Sequence, residues 1–172
     1  MITIFSTTNR KDSYTNKVAN IYFSLLKEKN IQSQVLDFQK LPIDFIFSNA
    51  FGNTTNDFDS IVNKHLLKVN KFIFICPEYN GSIPGVLKSF IDCTNPKLYK
   101  SKKVSLVGLS SGRAGNLRGL DHLTSILHHL GSEVLSFKPI FSSIHESFQG
   151  DELINAQYLK EVNNHIDSFN GF

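Results

Sequence analysis

The sequence predicts an α/β chain, with a parallel sheet covered by helices on both faces. Three observations lead there. Strand-like and helix-like segments alternate from one end to the other. The third and fourth strand-like segments, 71–76 and 103–109, are nearly continuous apolar runs, as expected of strands buried on both faces. No Pro/Gly/Ser-rich linker, internal repeat or low-complexity tract breaks the 172 residues, so a single domain over 1–172 is expected.

The elements follow in order. Ile2 to Phe5 is a short apolar strand. Ser13 to Lys29 reads as a helix, because Tyr14, Val18, Ile21, Tyr22, Leu25 and Leu26 fall on one face. Gln34 to Phe38 is the second strand. The stretch 41–56, with Phe45, Phe47, Phe51 and several asparagines, is the least regular and reads as either a packed loop or a flap over a site. Asp57 to Val69 is a helix turning Phe58, Ile61, Val62, His65, Leu66 and Val69 inward. The strand Lys71 to Cys76 is followed by a helix from Pro84 to Asp92, since proline suits a first helical turn. Lys103 to Leu109 is the fourth strand, and Asn116 to Leu130 a helix closed by Gly131 as a left-handed cap. Glu133 to Phe137 is expected as the fifth strand. Asp151 to Phe169 is expected as the last helix, with Asp151 as N-cap and Ile154, Tyr158, Val162, Ile166 and Phe169 inward.

Composition narrows the function classes. With 41% hydrophobic and 19% charged residues the chain is globular rather than disordered. The net charge of +3 is scattered, without the basic stripe and interleaved aromatics of a nucleic-acid binder, so no nucleic-acid partner is expected. No apolar run approaches the roughly 20 residues of a membrane span. The first residues lack the basic and apolar regions of a secretory signal, and Cys76 and Cys93 fit neither a zinc knuckle nor a redox pair. A cytoplasmic location and no membrane partner are therefore expected. His122, His128, His129 and His145 show no helical pair three or four apart, so no metal site is expected.

In a doubly wound sheet, ligands bind beyond the carboxyl ends of the strands. Three loops leave strands one, three and four at that edge. The first, 6–15, brings the hydroxyls of Ser6, Thr7, Thr8 and Ser13, together with Arg10, to a helix N-terminus, where free N–H groups and the helix dipole suit a phosphate. It contains neither GxxxxGK[ST] nor GxGxxG. The second reads Pro77-Glu-Tyr-Asn-Gly-Ser-Ile-Pro-Gly85. Asn80-Gly81 favours a tight turn whose amides can face the polar edge of a flat ring, with Tyr79 beside it. The third, Ser110-Ser-Gly-Arg-Ala-Gly-Asn116, offers Gly112 and Gly115 where a ring would approach the backbone.

The string 77–88, continuing to Ile91-Asp92, closely resembles the signature of NAD(P)H-dependent FMN reductases, and loop order and helix positions extend the likeness over nearly the whole chain. The resemblance implies a flavodoxin-like three-layer sandwich with a five-stranded parallel sheet in the order 2-1-3-4-5. It implies FMN as cofactor and NAD(P)H as reductant. Its phosphate loop, Gly-Ser-x-Arg-x-x-Ser, falls on Thr7, Thr8, Asn9, Arg10 and Ser13, with Tyr14 and Thr15 following. Pro77, Glu78, Tyr79, Asn80 and Gly81 fall on the turn that binds the isoalloxazine, and Ser111, Gly112 and Gly115 on the second ring-binding loop. Thr7 stands where the family has its first glycine, and threonine resists positive φ.

The implied activity is a ping-pong reaction. Hydride passes from NAD(P)H to flavin N5, and a small acceptor (a quinone, an azo compound, free flavin or a metal ion) then takes the electrons. No side chain is required as acid or base, so no catalytic residue is assigned. The family commonly dimerises, and the apolar stripes of the helices 84–92 and 116–130 offer a surface for a homodimer or a dimer of dimers. Two other classes stay open at this level. One is a flavodoxin-like electron carrier, for which a net basic chain without a carboxylate-dense rim is unusual. The other is a flavodoxin-like domain that has lost flavin and serves in assembly or regulation.

Overall fold

The computed structural model describes residues 1–172. Five parallel strands form the sheet: β1 (Ile2–Ser6), β2 (Ser33–Asp37), β3 (Lys71–Pro77), β4 (Lys103–Leu109) and β5 (Glu133–Val134), in the order β2-β1-β3-β4-β5. This is the flavodoxin-like arrangement, and the strand order reverses between β1 and β3. The register is continuous across the centre, with Phe5 beside Phe74 and Phe74 beside Leu106.

Alternation along β1, β3 and β4 sends side chains to two cores. On one face Phe5, Phe72, Phe74 and Leu106 meet Phe38, Phe58 and Phe90, and the rings of Phe5 and Phe74 stack at 4.5 Å. On the other face Ile4, Ile73, Ile75 and Val107 meet Val18, Tyr22, Val162 and Ile166. The helices α3 (Asn56–Val62), α4 (Gly85–Asp92) and α5 (Leu117–His129) supply the first core. The helices α1 (Tyr14–Glu28) and α6 (Ala156–Gly171) supply the second. No helix is long and apolar enough to cross a membrane.

Four expectations change. The fifth strand does not run from Glu133 to Phe137. It ends at Val134, and the chain returns to β4 only at β6 (Ile140–Phe141). Val134 pairs with Val104 and Ile140 with Gly108, six residue steps against four in β4, so the segment must loop out between them. Pro139, which has no N–H to donate, closes that excursion by accepting a hydrogen bond from Gly108 N at 2.9 Å. The last helix starts at Ala156, capped by the Asn155 side chain, which accepts from Tyr158 N. Asp151 instead lies in the turn of a hairpin, β7 (Phe148–Gln149) and β8 (Glu152–Leu153), where it pairs with Lys17 at 2.9 Å. Ile154 thereby falls outside the helix and is 54% exposed rather than inward.

The fourth change is in the helix expected over 57–69. It narrows to α3, followed by a π turn, Asn63–Leu67, which still delivers His65 and Leu66 to the interior. The irregular stretch 41–56 proves to be a packed loop with one short helix, α2 (Phe45–Ser48). Phe45 stacks on Phe58, and the buried Asn49 accepts from Thr55 N at 2.6 Å. Ile43, Phe47 and Phe51 of this stretch stand in solvent.

Candidate functional site

The carboxyl ends of β1, β3 and β4 lie side by side, and cross-links draw their loops together. In the first loop Thr7 turns inward and donates both its N–H and its hydroxyl to Ile75 O, at 3.2 and 2.8 Å. Thr7 does not enter the left-handed region. Asp12 does, with φ 51°, and a short carboxylate side chain tolerates that conformation. The glycine missing at position 7 therefore costs the backbone nothing at that position. Of the four hydroxyls expected to cradle an anion, those of Ser6, Thr7 and Thr8 all belong to fully buried residues; Ser6 Oγ has no partner and Thr7 is committed to Ile75. Ser13 lines a cavity at this edge, and Thr8 supports it from within. Thr8 Oγ1 accepts from Arg10 N at 3.2 Å and meets the Tyr79 hydroxyl at 2.5 Å. Ser13 caps α1 by accepting from Asn16 N, leaving the N-terminus of the helix open beside Arg10.

The second loop forms the tight turn that Asn-Gly predicts. Asn80 and Gly81 both take positive φ, 52° and 75°, and Tyr79 and Ser82 exchange main-chain hydrogen bonds across the turn at 3.0 and 3.1 Å. Glu78 N donates to Leu109 O at 2.8 Å. The N–H groups of Glu78 and Tyr79 are thus committed within the protein. Asn80 and Gly81 carry the amides that remain for a ligand. Beneath the loop, burial pushes the Cys76 thiol up to about 12, with a smaller opposing pull from its hydrogen bond with Thr7. A thiol held neutral in this way is a core group and not a nucleophile.

The third loop is braced from inside. Ser110 Oγ donates to Gly112 O at 2.7 Å and accepts from Gly115 N at 2.9 Å. Gly115 serves packing rather than ring approach: a Cβ there would lie 1.6 Å from Ile140 Cγ2. Gly112 has open space around it. Asn116, fully buried with φ 70°, donates Nδ2 to Cys76 O at 3.0 Å and so ties the third loop to the end of β3. A fourth segment joins them. Ser143 N donates to Gly112 O and Ile144 N to Ser110 O, which brings Ile144 and His145 to the same rim.

These segments enclose a cavity of about 300 Å³ lined by Arg10, Asp12, Ser13, Tyr14, Thr15, Pro77, Glu78, Tyr79, Leu109, Ser110, Ser111, Ile144 and His145. Eight of the expected site residues line it: Arg10, Ser13, Tyr14, Thr15, Pro77, Glu78, Tyr79 and Ser111. Thr8 touches it only through Tyr79, and Asn80, Gly81, Gly112 and Gly115 are not lining residues. Sequence reasoning missed Leu109, Ser110, Ile144 and His145 as lining residues. His145 stands only in a loop before the last helix, and nothing local in the sequence signals that hydrogen bonds to the third loop carry it to the rim. The Tyr14 ring turns outward, onto Phe148 of the hairpin at 5.3 Å.

The chemistry of the rim suits a flat ring that ends in an anion. At one end of the cavity the N-terminus of α1 brings Arg10, Ser13 and Thr15 together. At the other end the lining residues Tyr79 and Ser111 lead directly into the Asn80-Gly81 turn and the open Gly112. The Asp12 carboxylate is the one group at the anion end of opposite preference.

The model of the NADPH-dependent FMN reductase family matches residues 1–145. The chain is 27% identical over 125 residues to an FMN-dependent NADPH-azoreductase of Staphylococcus aureus; the match spans 69% of this chain and 64% of that relative. Among solved structures, the flavoenzyme NAD(P)H:(acceptor) oxidoreductase FerB of Paracoccus denitrificans superimposes with a TM-score of 0.78 at 24% identity, covering 98% of this chain and 93% of that one. The flavodoxin of Megasphaera elsdenii gives 0.60 at 16% identity, with 99% of each chain covered. At these identities the solved structures establish the fold.

Proposed function

The chain belongs to the NADPH-dependent FMN reductase family, and on that premise we propose that it binds FMN at the three-loop rim and uses NAD(P)H to reduce a small acceptor. The observation that carries the reading is the cavity, where a helix N-terminus and an arginine without a carboxylate partner meet Tyr79, the residue that leads into an Asn-Gly turn with two uncommitted amides. In this reading Thr8, Arg10, Ser13, Tyr14 and Thr15 hold the phosphate, and Pro77, Glu78, Tyr79, Asn80 and Gly81 hold the ring on one side. Ser111 and Gly112 hold it on the other, and Gly115 supports them by letting the third loop pack. FMN supplies the hydride-accepting ring, which is the hard part of the chemistry.

The protein's own contribution is binding and charge placement. The amides of Asn80 and Gly81 are fixed by the turn before any ligand arrives, so they stabilise negative charge at the ring edge without reorganising. Arg10 and the α1 dipole neutralise the phosphate. The acceptor we favour is an azo compound or a quinone, in keeping with the azoreductase relative. We take the chain as one domain and a homodimer, in which the exposed Leu117 beside the buried stripe of α5 is covered by the second copy. Sedimentation equilibrium measures the latter.

Titrating the purified protein with FMN tests the function. Quenched flavin fluorescence that saturates near one equivalent, followed by NADPH oxidation on addition of a quinone, is expected. A protein that leaves free FMN fluorescence unchanged at micromolar concentration sinks the proposal. One that binds FMN but oxidises no NAD(P)H is an electron carrier instead.

A further inference from the structure

The chain contains three arginines, Arg10, Arg113 and Arg118, and all three lie on the first or third loop or on the first turn of the helix after it. None donates a guanidinium hydrogen bond to the protein, and none has a carboxylate within 4.0 Å. Six of the fifteen lysines are tied to the protein. Lys17, Lys29, Lys71, Lys88, Lys102 and Lys103 each hold a carboxylate or a main-chain carbonyl. Arg10 lines the cavity, while Arg118 stays outside it. Its Nη1 lies 3.9 Å from the position a Cβ on Gly81 would take, so the guanidinium stands directly beside the Asn80-Gly81 turn. One helical turn further on, His122 Nδ1 meets Ser82 Oγ at 2.8 Å and pins the same turn to α5.

From this geometry we propose that Arg118 is a second anion subsite, separate from the phosphate end of the cavity, and that it receives a tetrahedral oxyanion on the molecule that exchanges electrons at the ring. The proposal rests on the flavin reading of the cavity and adds a substrate class to it. A guanidinium is a planar fork matched to phosphate or sulfonate oxygens, and holding it without a protein partner leaves the whole fork available. Arg10 at one end and Arg118 at the other give two anions separate places: the cofactor's phosphate inside, and the substrate's oxyanion at the mouth beside the ring-binding turn. Asp121 on α5 and Glu78 before the turn are the nearest carboxylates along the chain, and neither pairs with Arg118. Two sources supply such an oxyanion, the 2′-phosphate of NADPH and a sulfonate on an azo acceptor.

Calorimetry on the FMN-loaded protein with 2′,5′-ADP and with 5′-AMP separates them, alongside KM for a sulfonated azo dye and its unsulfonated parent. The wild type is expected to bind 2′,5′-ADP about tenfold more tightly than 5′-AMP, or to prefer the sulfonated dye by a similar factor. Arg118→Ala is expected to erase that preference, and Arg118→Lys to restore part of it, because a point charge lacks the fork. Loss confined to 2′,5′-ADP assigns the subsite to the dinucleotide; loss confined to the dye assigns it to the acceptor. Arg118→Ala that leaves both preferences intact, or a wild type with neither, overturns the subsite. FMN affinity is read separately by flavin fluorescence, and Arg118→Ala is expected to leave it within about twofold. Should the wild type take no FMN and yet bind 2′,5′-ADP through Arg118, the flavin reading fails and the subsite stands.

Discussion

At the amino end of the sheet, Lys71 Nζ donates to Phe169 O and Asn170 O, both at 3.0 Å, Lys102 Nζ reaches Val69 O at 2.6 Å, and Lys103 Nζ reaches Phe172 O. The first and last of these contacts close the carboxyl end of α6, where a helix leaves carbonyls unpaired and its dipole favours cations. At the carboxyl rim stand Arg10, Arg113 and Arg118, whose guanidinium groups donate nothing to the protein. The same strands thus carry positive charge at both ends with opposite uses. One end uses it to hold the fold together, and at the other the guanidinium groups have no protein partner. Backbone conformation does not follow this division: Asp12, Asn80, Asn116 and Ser143 adopt positive φ at the rim, and Asn30 and Ser101 do so ahead of β2 and β4.

Four measurements break or sharpen that contrast. The largest effect is expected at Gly108, where rim and core meet. A Cβ there would lie 2.1 Å from Gly115 O, a backbone atom that cannot swing aside. Gly108→Ala is expected to cost about 3 kcal/mol or more of stability in urea denaturation, and to weaken FMN binding with it. A variant as stable as the wild type would mean that the third loop is not held from below.

The next effect belongs to the core away from the rim. His165 is buried between Tyr22 OH, at 2.8 Å from Nδ1, and Ser105 Oγ at Nε2. Burial lowers it to about 3, against a smaller opposing pull from a main-chain hydrogen bond with Phe137. An unfolded histidine titrates near 6.5. Between those values the unfolded chain binds the extra proton, so this stability is complete above pH 6.5 and is lost as pH falls toward 3. His65, lowered to about 4 by burial and then by Lys64, acts in the same direction. By pH 4.5 about 2 kcal/mol of this stability should be gone. A urea midpoint that stays flat from pH 6.5 to pH 4.5 would contradict it.

Tyr79→Phe removes the hydroxyl that joins the first two loops. FMN affinity should fall about five- to tenfold, a change of about 1 kcal/mol, while the melting temperature moves little. An unchanged FMN affinity would show that the Thr8 contact does not position the loops. The smallest change is expected from Lys71→Met, which should lower stability by about 1 kcal/mol and leave FMN affinity alone. A loss of FMN affinity in that variant would erase the distinction between the two ends of the sheet.

Much of this was legible in the sequence because it is local. The apolar runs at 71–76 and 103–109 can be buried only on both faces, and that demands parallel neighbours with helices above and below. Asn80-Gly81 can hardly be anything but a tight turn, since both residues accept positive φ where others resist it. Arg10 and Ser13 ahead of a strong helical stripe mark an anion-ready N-terminus. Tertiary structure decided what depends on distant partners. Thr7 turns inward because Ile75 O is there to receive it, and Gly115 is glycine because Ile140 occupies the space of its side chain. Ile144 and His145 reach the rim through hydrogen bonds to Ser110 and Gly112 more than thirty residues earlier. Asp151 and Asn155 are equally competent caps by residue type, and only the hairpin that engages Lys17 selects the second. Propensity and periodicity act over a few residues and fix the elements and their order. Which side chains share a cavity is set by contacts whose partners no local window of sequence contains.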